Sequence, residues 1–111
     1  MVKITVWKDK EGSITKLEIK GHAGYADYGK DIICAAVSAL GETAILGIEK
    51  IALINTNSTK KEGYLSIEIP KDISKESRYK ADIILQTTAM GLEDIAKTYP
   101  KYVNFVCREE H

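Results

Sequence analysis

Reactive and metal-binding side chains are scarce in this chain. Its 111 residues hold two cysteines, Cys34 and Cys107, and two histidines, His22 and the terminal His111. Four such residues, this far apart, give no zinc-type ligand spacing, so no metal site is expected. Basic residues show no surplus either: sixteen lysines and arginines face sixteen acids. A domain whose main work is gripping nucleic acid carries such a surplus, so no direct nucleic-acid binding is expected beyond a small local patch. No apolar run approaches the ~20 residues of a bilayer span, and charges begin at Lys3, which leaves no signal-peptide core. The chain therefore reads as cytoplasmic with no membrane partner, and a reducing cytosol keeps both thiols free. The segment GHAGYADYG lacks the lysine and hydroxyl of a P-loop and is not GxGxxG, so no cofactor is expected.

What is present is ordinary in bulk. Apolar residues make up 44% and charged residues 29% of the chain, near the averages for globular domains. A length of 111 residues accommodates one domain, spanning 1–111, that buries roughly 60–70% of its unfolded surface.

The apolar pattern then divides the chain. Val2, Ile4 and Val6 alternate with Lys3, Thr5 and Trp7, which predicts a half-buried strand. Asp9 to Gly12 supplies a turn, and Leu17 and Ile19 alternate with Lys16, Glu18 and Lys20 in a second strand. Residues 22–30 show no periodicity and read as a loop with flexible points at Gly24 and Gly29. From Asp31 the period changes: Ile33, Val37, Leu40, Ala44, Ile48 and Ile51 form a helical stripe, with Asp31 as N-cap and Cys34 in the first turn. Gly41 and Gly47 weaken that helix, so close packing is the reason expected for them. Asn55 to Gly63 reads as an exposed loop whose lysines 60 and 61 are solvated charges. Leu65, Ile67 and Ile69 mark a third strand ending at Pro70. A second helix begins near Ser74 or Ser77, buries Ala81, Ile84, Leu85, Thr88, Leu92, Ile95, Ala96 and Tyr99, and stops at Pro100. Val103, Phe105 and Cys107 alternate in a final strand with Cys107 in the core, followed by a frayed tail. The expected fold is α+β: a two-layer sandwich of order ββαβαβ, with a four-stranded mixed sheet and two helices on one face.

Chemistry concentrates around Cys34 and His22. By type, a free cysteine is usually a small buried hydrophobe and a lone histidine a surface or capping residue. Their positions argue otherwise. A helix start offers unpaired N–H groups and a positive dipole end, which favour a thiolate and can hold an oxyanion. His22 sits where a strand runs into the loop before that helix. The dozen residues between them can stretch to ~40 Å or fold back on themselves, so contact is permitted and not compelled. If the two meet, His22 can pair with the thiolate and protonate a leaving amine. Asp31 fits a cap better than an orienting carboxylate. Ser38, one turn beyond Cys34, lines a substrate cleft or a helix interface. Tyr25 and Tyr28, flanked by Gly24 and Gly29, make either a lid over an extended peptide or an ordinary loop packed on the sheet.

The segment GHAGYADYGKDIICAAVSAL resembles the signature of the Prp family of ribosomal-processing cysteine proteases, and the length and element order are similar too. The resemblance implies a cysteine endopeptidase that removes a short N-terminal extension from a large-subunit ribosomal protein. It implies His22 and Cys34 as catalytic pair, the intervening segment with Gly24, Tyr25, Tyr28 and Gly29 as a substrate-gating loop, and a homodimer. The competing class is a non-catalytic module that binds ribosomal components with Cys34 merely packed. A redox sensor is weaker still, because no resolving cysteine lies nearby.

Overall fold

The computed structural model describes residues 1–21 and 28–110, with the side chains of 28–31 set aside. In chain order the elements are β1 (Val2–Lys8), β2 (Ile14–Lys20), α1 (Tyr28–Lys50), β3 (Asn57–Lys61), β4 (Tyr64–Glu68), α2 (Lys75–Thr98) and β5 (Val103–Glu109). The five strands form one mixed sheet in the order β3-β4-β2-β1-β5. Strands β1 and β5 run parallel, and the other described pairs are antiparallel.

Alternation in the sequence sets which face is buried. The register aligns Ile4 with Ile19 and Phe105, and Ile19 with Leu65. Ile4, Leu17 and Ile67 are at most 1% exposed, so this face is the core. Both helices cover it. Gly41 of α1 rests on Ile19 and Leu65, and Gly47 of α1 rests on Ile84 of α2. Asp82 of α2 accepts a hydrogen bond from the Ile14 amide at 2.9 Å, tying α2 to the start of β2. Thr88, buried among apolar residues, donates its hydroxyl to the Ile84 carbonyl at 2.7 Å and leaves no unpaired group. Ser74 caps α2 by accepting from the Ser77 amide.

Several expectations need correction. The sheet has five strands, not four, and the order is ββαββαβ. Residues Asn57–Lys61, expected in a loop, form β3, an edge strand exposed at every position. Such a strand buries no side chain, so it carries no alternating apolar signal. The first helix starts at Tyr28, three residues before Asp31, so Asp31 is interior and cannot be its N-cap. A glycine such as Gly29 weakens a helix by up to ~1 kcal/mol but does not forbid one. Cys34 is then the seventh helical residue, in the second turn.

Ile51, expected in the buried stripe, is 61% exposed, because α1 ends at Lys50 and the chain turns back. The Ile51 and Ala52 amides both donate to the Gly47 carbonyl, and Ala52 and Ile54 take the buried places instead. Tyr99, also expected in the core, caps the end of α2 and is exposed. Cys107 is exposed too, since β5 is an edge strand and its far end outruns the helical cover. The tail is not frayed as far as Glu110: Arg108 and Glu109 belong to β5, and the Glu110 amide donates to the Lys8 carbonyl at 2.8 Å. The Thr15 hydroxyl also donates to the Glu110 carboxylate.

Contrary to the expectation that no apolar run approaches a bilayer span, the stretch Ile32–Lys50 is as long and apolar as a membrane-crossing helix. In the fold it is one layer of the sandwich, with Val37, Ala44 and Ile48 buried.

The turn after α1 holds a strained residue. Leu53 has φ of 58° and is 78% exposed, so it takes a left-handed conformation without burying its side chain. Glycine adopts that conformation freely. Leu53→Gly is therefore expected to stabilise the fold by about 0.5–1 kcal/mol, read as a higher urea midpoint at unchanged m-value.

Candidate active site

Cys34 follows the buried Ile33 by one position, which places it on the flank of the α1 stripe. It is half-buried, packed partly against the core and open on its other side. Ser38 and Glu42 follow at successive steps of four and share its flank. These three residues form the helical wall of a cleft of about 120 Å³. Lys60, Lys61, Gly63, Tyr64 and Leu65 of the β3–β4 hairpin form the opposite wall, over Ile19 and Gly21.

Two glycines allow close packing beside this cleft. A Cβ on Gly41 would lie 3.0 Å from Ile19 Cδ1 and 3.1 Å from a Leu65 methyl, so glycine lets the helix settle close onto the sheet. Gly21 has φ of 99°, and a Cβ there would stand 2.3 Å from the Met1 carbonyl oxygen. Its amide donates to the Gly63 carbonyl at 2.9 Å, which fastens the end of β2 to the β3–β4 turn. The chain is therefore fixed in position up to the residue that precedes His22.

Charges line the hairpin side. Lys60 forms an ion pair with Glu42 across the cleft. Lys61 Nζ lies 5.8 Å from the centroid of the Tyr64 ring, and the Tyr64 hydroxyl donates to Glu18 at 2.8 Å. Both lysines are exposed, as expected of solvated charges, but they stand on strand β3 instead of a loop and line the cleft. A second hollow, about 940 Å³ and open, is lined by residues that include Trp7, Lys16, Pro70 and Arg78, and its described lining holds no cysteine.

Of the residues singled out from sequence, the fold brings Cys34 and Ser38 together on one wall. Tyr28 and Gly29, expected in a loop, belong to the first turn of α1. His22, Gly24 and Tyr25 lie outside the described residues. The second-turn position of Cys34 also changes one chemical expectation. Only the first four amides of a helix lack an internal partner, so the Cys34 amide is not a free oxyanion donor. Sequence reasoning missed Gly21, Glu42, Lys60, Lys61 and Tyr64. The spacing Cys34–Ser38–Glu42 held a signal for one of them, and the two-residue Glu62–Gly63 connection held a signal for the hairpin.

Comparison with known proteins bears on this site. The family model described as cysteine protease Prp matches residues 1–104. The ribosomal processing cysteine protease Prp of Bacillus subtilis is 29% identical over 105 residues, covering 89% of this chain and 90% of that protein. The fold matches the ribosomal processing protease Prp of Staphylococcus aureus solved with a substrate peptide, at a TM-score of 0.84 and 23% identity. That match covers 97% of this chain and 100% of the other. The same protease with a covalently linked product peptide matches at a TM-score of 0.81, 24% identity and the same coverage. With a thiol on the wall of a cleft, and with sequence and fold agreeing along nearly its whole length, this chain belongs to the Prp family of cysteine proteases.

Proposed function

We propose that the chain, acting as one cysteine-protease domain over residues 1–111, removes the N-terminal extension of a large-subunit ribosomal protein in the cytoplasm. Cys34 is the nucleophile and His22 the general acid and base. The observation that carries this reading is the shared cleft: Cys34 and Gly21 line it together, and His22 is the next residue in the chain. The relatives named for ribosomal processing, one of them solved with a covalently linked product peptide, support the substrate class.

In this mechanism Cys34 Sγ forms a bond to the scissile carbonyl carbon. His22, having taken the thiol proton as that bond forms, donates it to the departing amine, and the C–N bond breaks to leave a thioester. The departing amine is the new N-terminus of the shortened protein; water then attacks the thioester, with His22 taking its proton and returning it to the sulfur, and the extension leaves as a free acid. Ser38, one turn along the wall, holds the peptide rather than reacting. Asp31 is a supporting residue within α1, one turn before Cys34. No step draws on a metal or cofactor.

The test is a peptide spanning the extension, incubated with wild type, Cys34→Ala and His22→Ala. Cleavage by wild type, lost in both variants, supports the assignment; cleavage surviving in Cys34→Ala removes it.

The segment Gly24, Tyr25, Tyr28 and Gly29 gates the cleft. Gly29 is the second residue of α1, where a helix amide has no internal partner, so proline forfeits no hydrogen bond there. Gly29→Pro is expected to leave the melting temperature within about 3 °C and to lower kcat about tenfold or more by stiffening the gate. Unchanged turnover would contradict the gating role.

The functional unit is a homodimer. Its supporting observation is the apolar outer face of the helices, where Ile32, Leu46, Ile83 and Met90 are 48–71% exposed. A second copy would cover these side chains. Sedimentation of wild type against Leu46→Glu checks this, and a wild type that sediments as a monomer at micromolar concentration contradicts it.

A further inference from the structure

Both helices pack on one face of the sheet, and no described helix or strand covers the other. That outer face carries a charge that the balanced total of the chain conceals. Its outward positions hold five cations, Lys3, Lys16, Lys20, Lys61 and Arg108, against the carboxylates of Glu18 and Glu68. The whole chain, by contrast, has sixteen residues of each sign. The register also sets Lys3 directly opposite Lys20. Like charges so placed destabilise a sheet, and a bound polyanion removes the repulsion. Glu18 does not neutralise the face, because it already accepts from the Tyr64 hydroxyl and lies 3.6 Å from Lys20.

The far end of this face opens into the hollow of about 940 Å³. Trp7 stands there between Arg108 and Lys16 in one row across the strands, and Lys16 Nζ lies 5.0 Å from its ring centroid. Lys10, Lys71 and Arg78 extend the cations around the lining, and no described carboxylate comes within ion-pair distance of them. The acids of the same lining are already engaged. Asp9 accepts from the Glu11 and Ser13 amides, Glu110 accepts from the Thr15 hydroxyl, and Glu68 lies 4.0 Å from Lys16.

We infer that the outer face of the sheet, from Trp7 and its hollow toward Lys3 and Lys20, binds single-stranded RNA. Each nucleotide brings a base that stacks on an aromatic ring and a phosphate that pairs with a cation, and this face offers both side by side. An acidic peptide uses the cations and leaves Trp7 idle. From Trp7 to Lys3 the strand runs about 13 Å, and five strands span about 19 Å, room for several nucleotides. Thr5, Thr59 and Ser66 set hydroxyls between the two charged rows. The site does not depend on Cys34 chemistry; only the choice of RNA over DNA rests on the ribosomal substrate proposed above.

The experiment titrates the full chain with an RNA of about 12 nucleotides, DNA of the same sequence, and polyglutamate of equal charge. Anisotropy of a labelled strand reads binding. Trp7 is the sole tryptophan, so its emission with unlabelled strands reads stacking. Wild type is expected to bind RNA with quenched emission. Three phosphates held by Lys10, Lys71 and Arg78 give a slope of about −2 for log K against log salt. Trp7→Ala weakens binding about fivefold or more, and Trp7→Phe keeps most of it. Lys10→Glu/Lys71→Glu, at two exposed positions where the fold loses no contact, flattens the slope to about −0.7. Lys50→Glu, in the last turn of α1, leaves affinity within about twofold. All variants are expected to cleave the extension peptide as wild type does, so failure of the protease reading shows separately. No binding at about 100 μM protein, or binding without quenching, overturns the inference. Polyglutamate bound as tightly as RNA assigns the face to an acidic protein instead, and DNA bound as tightly overturns RNA as the occupant.

Discussion

Cys34→Ala is expected to lower kcat/KM for the extension peptide by about 10⁴-fold or more while leaving the fold intact. Nucleophile and base act as one unit, so deleting the nucleophile removes the covalent route entirely and leaves only what positioning provides. His22→Ala should fall in the range of about 10²–10⁴-fold, the usual weight of a positioned proton donor. Structure explains why the cysteine change is a clean probe. Cys34 is only half-buried, and alanine is the best helix former, so the lost sulfur contacts are partly offset within α1. Urea unfolding should therefore shift by no more than about 1 kcal/mol. A large loss of stability would point to a packing role for this thiol, and a small loss of activity would remove it from the chemistry.

The second large effect belongs to a residue with no reactive group. Gly21→Ala should destabilise the protein by about 3 kcal/mol or more and abolish activity with it. The added Cβ would stand 2.3 Å from the Met1 carbonyl oxygen and 3.3 Å from its carbon, both backbone atoms that no rotamer change can move. The φ of 99° adds conformational strain for any side chain. Relief requires β1 and β2 to part where Lys3 opposes Lys20, beside the amide that holds Gly63. Against a typical domain stability of about 5–15 kcal/mol, such a cost is a large fraction of the total. Urea denaturation measures it directly, and a change under about 0.5 kcal/mol would refute the close approach.

How much of this was legible beforehand follows from what leaves a periodic trace. Strands β1, β2 and β4 and both helices bury one face against the other layer, and alternation or a 3.6-residue stripe recorded that burial. Strand β3 buries nothing, so its Asn57–Lys61 sequence looked like a loop and the sheet came up one strand short. Tyr99, Ile51 and Cys107 failed for one reason: a stripe projected past the end of its layer meets solvent. In the site, Cys34 and Ser38 were visible as residue types at helical spacing. Glu42 stood at the next helical step, but its pairing with Lys60 did not show, because an ion pair between a helix and an edge strand of polar residues depends on a hairpin marked in the sequence only by the short Glu62–Gly63 connection. The start of α1 slipped because Asp31, although a good cap by type, is also tolerated inside a helix.

The two thiols allow the catalytic assignment to be tested within a single molecule. Cys107 is the more exposed of the pair and Cys34 only half-buried, so simple access favours alkylation at Cys107. The proposed pairing of Cys34 with His22 predicts the reverse order. With limiting iodoacetamide at pH 6.5, where an unassisted thiol is mostly protonated, mass spectrometry should find Cys34 modified at least about tenfold faster than Cys107, and His22→Ala should erase the difference. Faster modification at Cys107 in the wild-type protein would show that Cys34 reacts as an ordinary, sterically shielded thiol and would contradict its assignment as the nucleophile.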